Sequence, residues 1–364
     1  MARSIRDRST GAKLVLFRVL LLTFSVGISL LFAELLLRIV APQPPSWLAI
    51  YQPHPALPFY SMLPGARLHV DTGETNWTIA TDDNGFRFNP DLQKKPHCTT
   101  LWLGDSYAFG HGLDYPETFV GNLDSRLPDV RVLNASVSGY GPTQYRQTLE
   151  YLIEQGLQFD DLIVASYVGN DFHDTKWEKS RVVADGIIGN RNDVKSLLMK
   201  NLHLYRLVAS LYHRFTPNTQ PSYLEVVNQL ARPQAWNEEF LSEARSLYET
   251  EMSRILELGR NEGAEVTFLI LPTRQAVSYL AGESQTIDAG STHQPMLPVE
   301  KAAEIFERLG APYLDLTPVI AKNPTEEMFF QFDGHLTRIG SSEVANAVFE
   351  AFSLHCDPTV SPAN

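Results

Sequence analysis

Five residues in four separate segments of the sequence carry the groups that ester chemistry requires. Ser106 offers a hydroxyl, but a serine is a weak nucleophile until a base accepts its proton and a partner fixes the tautomer of that base. His335 is the candidate base and Asp333 the candidate partner. The backbone N–H groups of Ser106 and Gly139 and the side-chain amide of Asn170 are candidate donors to an oxyanion. The set predicts acyl transfer through a Ser106 acyl-enzyme, if the fold brings the five residues together.

Each of these residues also has a purely structural interpretation. A serine directly after a strand is an ordinary helix N-cap, and Gly139 could be only a turn glycine. Asn170 could satisfy neighbouring backbone groups in an Asx-turn, and His335 could simply begin a helix. Gly141 is a second candidate for the donor glycine, although Gly139 is favoured.

Other polar residues near these motifs are given different roles. Asp105 and Asp171 are expected to brace their loops, and His111 to be structural or to face the substrate. A zinc site formed by His173 and the pair Asp333–His335 is an alternative, but the spacing does not match HExxH. We therefore predict neither a metal nor an organic cofactor.

Strands and helices alternate from residue 99 onward and would position these side chains. Apolar runs predict buried strands at residues 99–104, 130–136, 160–168, 264–272 and 311–316. Helical patterns fall at residues 116–127, 143–156, 240–263, 298–310 and 337–352. The alternation predicts an α/β three-layer sandwich, in which a mostly parallel, flavodoxin-like, five-stranded sheet has helices on both faces. Because ligands bind outside the carboxyl ends of such strands, the polar residues that follow them should converge on one edge.

The N-terminus has the composition of a membrane anchor. A basic stretch precedes an apolar segment, residues 14–40, that is long enough to span a bilayer if Arg18, Glu34 and Arg38 lie near the interfaces. The positive-inside rule then places the N-terminus in the cytoplasm and the rest of the chain outside it. A cleaved signal peptide would need small residues at a cut site, which the sequence near residue 41 supplies poorly. A buried core helix rarely begins with a basic tail.

The chain is therefore divided into four parts. These are a cytoplasmic basic tail (1–13), a transmembrane helix (14–40), a linker with a small β-containing segment (41–97), and a catalytic domain (98–357). Within the catalytic domain, residues from 172 to about 236 interrupt the alternation and predict a partly helical insertion or lid.

The charge and the cysteine content limit which partners and which cellular compartment are expected. The 364 residues carry a formal net charge of −12, which repels phosphate backbones, so nucleic acid is not an expected partner. The two cysteines are Cys98, just before the first strand, and Cys356, at the far end of the last helix. Both should lie at the end of the sheet away from the site, so a disulfide is predicted, as is common outside the cytoplasm.

The ordered set of motifs resembles the SGNH (GDSL-type) hydrolase family. The matching residues are Ser106 in GDS, Gly139 in SGYG, Asn170 in GND and His335 in DGHLT. With the N-terminal anchor and the DNGFR sequence, the layout looks like a membrane-anchored bacterial branch. The resemblance implies catalytic Ser106, His335 and Asp333, and an oxyanion hole of Ser106, Gly139 and Asn170.

One feature departs from the commoner family pattern. Only Gly334 separates Asp333 from His335, whereas two residues usually stand between the aspartate and the histidine. The shorter spacing is similar to that of some membrane-linked relatives, including exopolysaccharide O-acetyltransferases. The carboxylate is therefore less securely assigned than the histidine.

Three functions are compatible with these residues. The first is a periplasmic serine esterase, held in the cytoplasmic membrane, that hydrolyses short acyl esters of glycans or lipids. The second is an O-acetyltransferase or acetylesterase of cell-envelope polysaccharide, with a membrane-bound acyl donor as partner. The third is an inactive glycan-binding scaffold, which the loss of a key residue would favour, although all four family residues are present.

Overall fold

The chain forms two compact units in the computed structural model. The described residues are 2–42, 50–176, 183–184, 187–188, 198, 201–215, 223–283 and 293–351. One unit contains Met1–Ala49 and Val183–Thr219, and the other contains Ile50–Val182 and Gln220–Asn364.

The strands and helices are numbered in chain order. The strands are β1 (Tyr51–Pro53), β2 (Tyr60–Met62), β3 (Arg67–Asp71), β4 (Asn76–Ala80), β5 (Cys98–Gly104), β6 (Val130–Asn134), β7 (Asp161–Tyr167), β8 (Val183–Ala184), β9 (Ile187–Ile188), β10 (Glu265–Leu271) and β11 (Tyr313–Asp315). The α-helices are α1 (Ala2–Val40), α2 (Ser106–Phe109), α3 (Phe119–Arg126), α4 (Pro142–Glu154), α5 (Asp171–Lys176), α6 (His203–Phe215), α7 (Tyr223–Leu230), α8 (Glu239–Asn261), α9 (Arg274–Leu280), α10 (Leu297–Leu309), α11 (Thr317–Ile320), α12 (Thr325–Met328) and α13 (Arg338–Ala351). Short 3-10 helices occur at Tyr115–Glu117 and Pro233–Asn237.

The larger unit is built on the five-stranded sheet that the sequence predicts. The strand order is β11-β10-β7-β5-β6, and every pairing is parallel. Counted along the chain this is the order 2-1-3-4-5, so the predicted flavodoxin-like sheet is confirmed. All seven residues of β7 are buried, as expected for a central strand covered on both faces. Helices α4, α5 and α8 pack together in one group, and α3 packs with α13 in another.

Two antiparallel hairpins, β1–β2 and β3–β4, precede the sheet in the same unit. A turn at Asn84-Gly85 follows β4 and lies within a bridge between Thr81 and Arg87, with Gly85 at φ 80°. Strand β1 lies within residues 41–97, the part of the chain for which the sequence predicts a linker and a small β-containing segment. Tyr51 is only 2% exposed, so its buried ring holds this stretch against the domain.

The smaller unit contains α1, β8, β9 and α6. Helix α1 includes a 26-residue apolar stretch, Val15–Val40, that is long and apolar enough to cross a membrane. The helix begins at Ala2, so the basic tail and the apolar segment belong to one helix. Of the predicted insertion, Val183–Thr219 groups with α1, whereas α7 groups with the sheet. Cys356 lies outside the described residues, so its pairing with Cys98 stays a prediction.

Candidate active site

A hydrogen-bonded chain joins three of the predicted site residues. The Nε2 atom of His335 lies 2.7 Å from the Oγ atom of Ser106. On the other side of the ring, Nδ1 of His335 bonds Oδ1 of Asp333. The side chains of His335 and Asp333 are 20% and 28% exposed, so a substrate can reach them from solvent. The fold thus brings together three residues from two segments more than 200 positions apart.

Ser106 is the first residue of α2, at the carboxyl end of β5. The cap of this helix is Asp105, whose Oδ1 accepts the Tyr107 backbone N–H at 2.9 Å. The N-cap interpretation therefore applies to Asp105, which leaves the Ser106 hydroxyl available to His335. Gly104 has no room for a side chain, because an added Cβ would lie 2.7 Å from the Cβ of Ala108 and 3.0 Å from the carbonyl oxygen of Ala165.

A buried arginine secures the loop that follows α2. Arg87 is fully buried, and its guanidinium donates to the carbonyl oxygens of Phe109, Gly110 (2.7 Å) and Leu113. Burial lowers the pKa of Arg87 to about 10, so the side chain remains charged at neutral pH. A guanidinium can satisfy several carbonyls at once because its donors are fixed in a plane. Sequence reasoning noted DNGFR as a motif but missed this contact.

The loop that carries Asp333 and His335 is held from two sides. The carboxylate of Glu74, in the β3–β4 turn, accepts the backbone N–H groups of Phe332 at 3.0 Å and Asp333 at 2.9 Å. The hydroxyl of Tyr107 donates to the carbonyl oxygen of Gly334 at 3.0 Å. Gly334 has φ 82°, a left-handed conformation that glycine adopts readily. This turn lets the carboxylate and the imidazole meet although only one residue separates them.

His111 is a second imidazole close to the chain. Its Nε2 lies 3.7 Å from Oδ2 of Asp333, and its ring centroid lies 4.9 Å from that of His335 and 5.0 Å from that of Trp77. Burial, together with the nearby charge of His335, lowers the pKa of His111 to about 4, so the ring is neutral. For Asp333, burial is outweighed by the hydrogen bond and charge of His335, which lower its pKa to about 2. An ionised carboxylate therefore faces His335 at any physiological pH.

The candidate oxyanion donors come from neighbouring parts of the same sheet edge. Asn170 follows β7, which pairs directly with β5, so Ser106 and Asn170 lie beyond adjacent strand ends. The Gly141 N–H donates to Oε1 of Gln144 at 3.0 Å. Gly139 has φ 84°, and an added Cβ would lie 2.5 Å from the hydroxyl oxygen of Tyr60.

Two aspartates next to these residues have buried side chains. Asp105 and Asp171 are fully buried. Asp171 accepts the hydroxyls of Tyr145 at 3.0 Å and Ser166 at 2.7 Å. Burial raises the pKa of both carboxyl groups, to about 6 for Asp105 and well above the usual range for Asp171. These contacts fit the bracing roles expected from the sequence.

The residues of the alternative zinc site do not form a cluster. The ring of His173 packs on Phe240, with centroids 4.9 Å apart. Among the described residues, no group of three or more His, Cys, Asp or Glu side chains is arranged to hold a metal ion. The Asp333–His335 pair instead meets Ser106.

An open cleft adjoins the hydrogen-bonded chain. It is lined by Thr72, Gly73, Glu74, Phe332 and Asp333. The Phe332 ring is 84% exposed and is the large apolar surface of this cleft. The cleft thus combines polar side chains with one exposed aromatic face beside the candidate carboxylate.

Comparison with known proteins finds likeness only among solved structures. No protein family model and no curated protein matches the chain. A member of the lipolytic G-D-S-L family from Veillonella parvula shares 10% identity over 70% of this chain and 98% of its own, with a TM-score of 0.40. An acetyl xylan esterase from Geobacillus stearothermophilus shares 11% identity over 72% and 97%, with a TM-score of 0.39. The psychrotrophic esterase EstA from Pseudoalteromonas sp. shares 14% identity over 69% and 94%, with a TM-score of 0.36. The first of these carries the family name that the four motifs of this chain resemble.

Proposed function

We propose that the protein is a serine esterase of the SGNH type that hydrolyses oxygen esters through a Ser106 acyl-enzyme. The observation that carries this proposal is the continuous hydrogen bonding from Ser106 through His335 to Asp333. These three residues lie beyond the carboxyl end of β5. The strand order reverses between β5 and β7, and ligands bind at that position in such folds. A serine, an imidazole and an ionised carboxylate in this order can activate a hydroxyl.

The reaction follows from these positions. Oγ of Ser106 attacks the ester carbonyl while Nε2 of His335 takes the hydroxyl proton. The tetrahedral intermediate collapses, and His335 returns the proton to the departing alcohol. Water then attacks the acyl-enzyme and gives a proton to His335, which passes it to Oγ of Ser106 as the Oγ–acyl bond breaks and the acid departs. Throughout, Asp333 holds the Nδ1 proton of His335 and stabilises the imidazolium.

The negative charge on the carbonyl oxygen needs fixed donors. We assign this role to the backbone N–H groups of Ser106 and Gly139 and to the side-chain amide of Asn170. Their support is placement: Ser106 and Asn170 follow the adjacent strands β5 and β7, and Gly139 follows β6, which also pairs with β5. Donors fixed in advance need no reorganisation when the charge develops.

The decisive experiment replaces the nucleophile in the full chain, purified in detergent. Ser106→Ala should lower kcat for p-nitrophenyl acetate by at least about 10⁴-fold and abolish labelling by a fluorophosphonate. Ser125→Ala is the matched control, because the Ser125 hydroxyl bonds only the Gly121 carbonyl of its own helix among its described partners. Activity retained in Ser106→Ala would refute the proposal, whereas an unsubstituted protein without esterase activity would favour the inactive scaffold.

For the substrate, we propose short acyl groups on a polar alcohol such as a glycan. The support is the open cleft beside Asp333, in which Thr72 and Glu74 are polar and Phe332 offers one flat aromatic face. A panel of p-nitrophenyl esters from acetate to palmitate, together with acetylated xylan, should show the highest kcat/KM for acetate and release of acetate from the xylan. A maximum at palmitate would contradict this assignment and leave Ser106 chemistry intact.

Acyl transfer to a sugar hydroxyl is the second candidate. It is favoured by the exposure of His335, because a polysaccharide hydroxyl can reach the acyl-enzyme as readily as water. The two outcomes separate by product: a transferase yields an acetylated sugar when acceptor is added, and a hydrolase yields only acetate.

We further propose that α1 anchors the protein in the cytoplasmic membrane, with the N-terminus inside and the catalytic unit outside. Its support is the apolar stretch Val15–Val40 after a basic segment. Resistance of the full chain to carbonate extraction from membranes tests the anchor, and external protease accessibility of the catalytic unit tests the orientation.

A further inference from the structure

A carboxylate within the apolar stretch of α1 has an unusual set of partners. Glu34 is only 6% exposed, although α1 is otherwise open along this stretch. Its Oε1 accepts the backbone N–H of His203 at 3.0 Å, and its Oε2 accepts that of Leu204 at 2.8 Å. These two N–H groups belong to the first turn of α6, where the helix itself provides no acceptors. Glu34 therefore caps a second helix from 170 residues away in the sequence.

Arg38 completes the connection. Its Nε donates to Oε1 of Glu34 at 2.8 Å, and its Nη2 donates to the carbonyl oxygen of Asn201 at 2.7 Å. A charged side chain in an apolar span is costly unless it is paired and hydrogen-bonded. Glu34 has a cation and two N–H donors, so the charges of Glu34 and Arg38 are satisfied by each other and by the start of α6.

The two helices enclose an apolar groove next to this connection. Apart from Glu34, the side chains that line it are apolar or aromatic: Leu30, Leu31, Leu202, Leu204, Tyr205 and Val208. On α6, Val208 is 54% and Leu211 is 45% exposed, and their spacing of three residues places them on one side of the helix. The groove is continuous with the apolar surface of Val15–Val40.

We propose that α6 is an interfacial helix that lies against the bilayer crossed by α1, with lipid acyl chains filling the groove between them. This inference rests on the proposed membrane anchor. Glu34 stands six residues before the end of α1, about 9 Å along the helix axis. That distance corresponds to the boundary between headgroups and acyl chains, where amphipathic helices lie with their apolar face buried. Lipid is the expected occupant because the groove wall is itself part of the apolar stretch.

The test measures how far single positions of the full chain are exposed to lipid. The protein is kept oxidised so that the predicted Cys98–Cys356 pair does not take up the dye. A cysteine at each position, labelled with an environment-sensitive NBD dye, is reconstituted into phosphatidylcholine–phosphatidylglycerol vesicles that contain nitroxide lipids. We expect blue-shifted, quenched emission for Val208→Cys and Leu211→Cys. Arg206→Cys, which lies about 200° around the helix from Val208, should show solvent-like, unquenched emission.

A label in α1 separates this inference from the anchor itself. Phe24→Cys, in the middle of the apolar stretch, should be quenched if α1 crosses the bilayer. Quenching at Phe24 with solvent-like emission at Val208 and Leu211 would refute only the interfacial helix. The absence of quenching at all of these positions would refute the anchor and, with it, this inference. Esterase activity is measured separately and is not a readout of either.

The role of the carboxylate is tested with the label at Val208. Glu34→Ala removes both cap bonds and should reduce quenching at Val208 and shift its emission toward that in water. Ser29→Ala is the matched control, because the Ser29 hydroxyl bonds the Ser25 carbonyl of the same helix. Equal quenching in the two variants would show that Glu34 does not hold α6 at the membrane.

Discussion

The loops that carry Ser106 and His335 have supports of opposite kinds. The nucleophile loop, residues 104–113, is fixed from inside by the buried guanidinium of Arg87. The base loop, residues 330–337, is fixed from outside by the carboxylate of Glu74 on two of its N–H groups. One support is closed to water, and the other lies in an open cleft.

This contrast separates stability from catalytic geometry. Removing a buried cation leaves carbonyl groups unsatisfied in a space that excludes water, which costs stability. Removing an exposed acceptor costs little stability, because water replaces it, but the loop loses its fixed position. Loss of the Arg87 guanidinium should therefore destabilise the fold around the nucleophile loop. Loss of the Glu74 carboxylate should instead displace His335 from Ser106.

The largest effect is expected where the base loop meets the nucleophile. His335→Ala removes the proposed general base and should lower kcat by about 10⁴-fold, because Ser106 then has no proton acceptor. Steady-state kinetics with p-nitrophenyl acetate measure this loss. His111→Phe should stay within about tenfold of the unmodified protein. A reversal of these two results would make His111 the base.

Arg87→Ala should have the largest effect on stability. The substitution leaves three carbonyl groups of the nucleophile loop without their donor, and we expect the free energy of unfolding to fall by about 3 kcal/mol or more. Urea unfolding in detergent, followed by tryptophan fluorescence, measures it. Arg126→Ala, at a surface arginine bonded to Asn346, should change the free energy by less than about 1 kcal/mol. Equal losses of unfolding free energy in the two variants would show that Arg87 does not stabilise the nucleophile loop more than a surface arginine does.

His111 should make stability depend on pH. Its pKa is about 4 in the folded protein, whereas an unperturbed histidine has a pKa of 6.5, so the unfolded chain binds the proton first. The stability gained by keeping His111 neutral is complete above pH 6.5 and is lost as the pH falls toward 4. Between about pH 8 and pH 5 the loss should be about 2 kcal/mol smaller in His111→Phe than in the unmodified protein.

The comparison isolates His111 from the other titrating groups near it. Asp105, with its pKa raised to about 6, changes stability with the opposite sign between pH 6 and 3.8, but it does so in both proteins. Asp333, with its pKa lowered to about 2, loses its contribution only below pH 3.8. Parallel pH curves for the two proteins would contradict the assignment to His111.

The smallest expected effect sharpens the contrast at the base loop. Glu74→Gln loses the charge and one of two acceptors, so kcat should fall about tenfold with KM nearly unchanged. The free energy of unfolding should change by less than about 1 kcal/mol. Asp71→Asn, in the same turn but bonded to the Gly73 N–H, is the matched control. A loss of stability without a loss of kcat would place Glu74 among structural residues only.

The sheet could be predicted from the sequence because its signals are local. Each central strand is a continuous apolar run, and the polar residues of the site follow soon after its end. Strand β5 ends at Gly104, just before Ser106, and strand β7 ends at Tyr167, shortly before Asn170. The ordered motifs also predicted which side chains would meet, and Ser106, His335 and Asp333 do form one chain. Their catalytic roles stay a prediction.

The supports of the site could not be predicted because they join distant segments. Glu74 contacts Asp333 across 259 positions, and nothing in the residues around Glu74 indicates an acceptor for another loop. The partners of Arg87 are backbone carbonyls, which leave no trace in residue types. The cap of α6 by Glu34 is hidden for the same reason. The hydrophobic pattern of a sequence indicates which residues are buried and which form helices or strands. It does not indicate which backbone groups a distant side chain binds.

The cap that Glu34 provides makes the start of α6 depend on α1. Helix α1 supplies acceptors to the first turn of α6 and a donor to the carbonyl oxygen of Asn201. Cleavage of the chain between Glu34 and the larger unit would take those acceptors away from α6 once α1 had left. The contacts of the smaller unit therefore require that α1 stays with the rest of the chain.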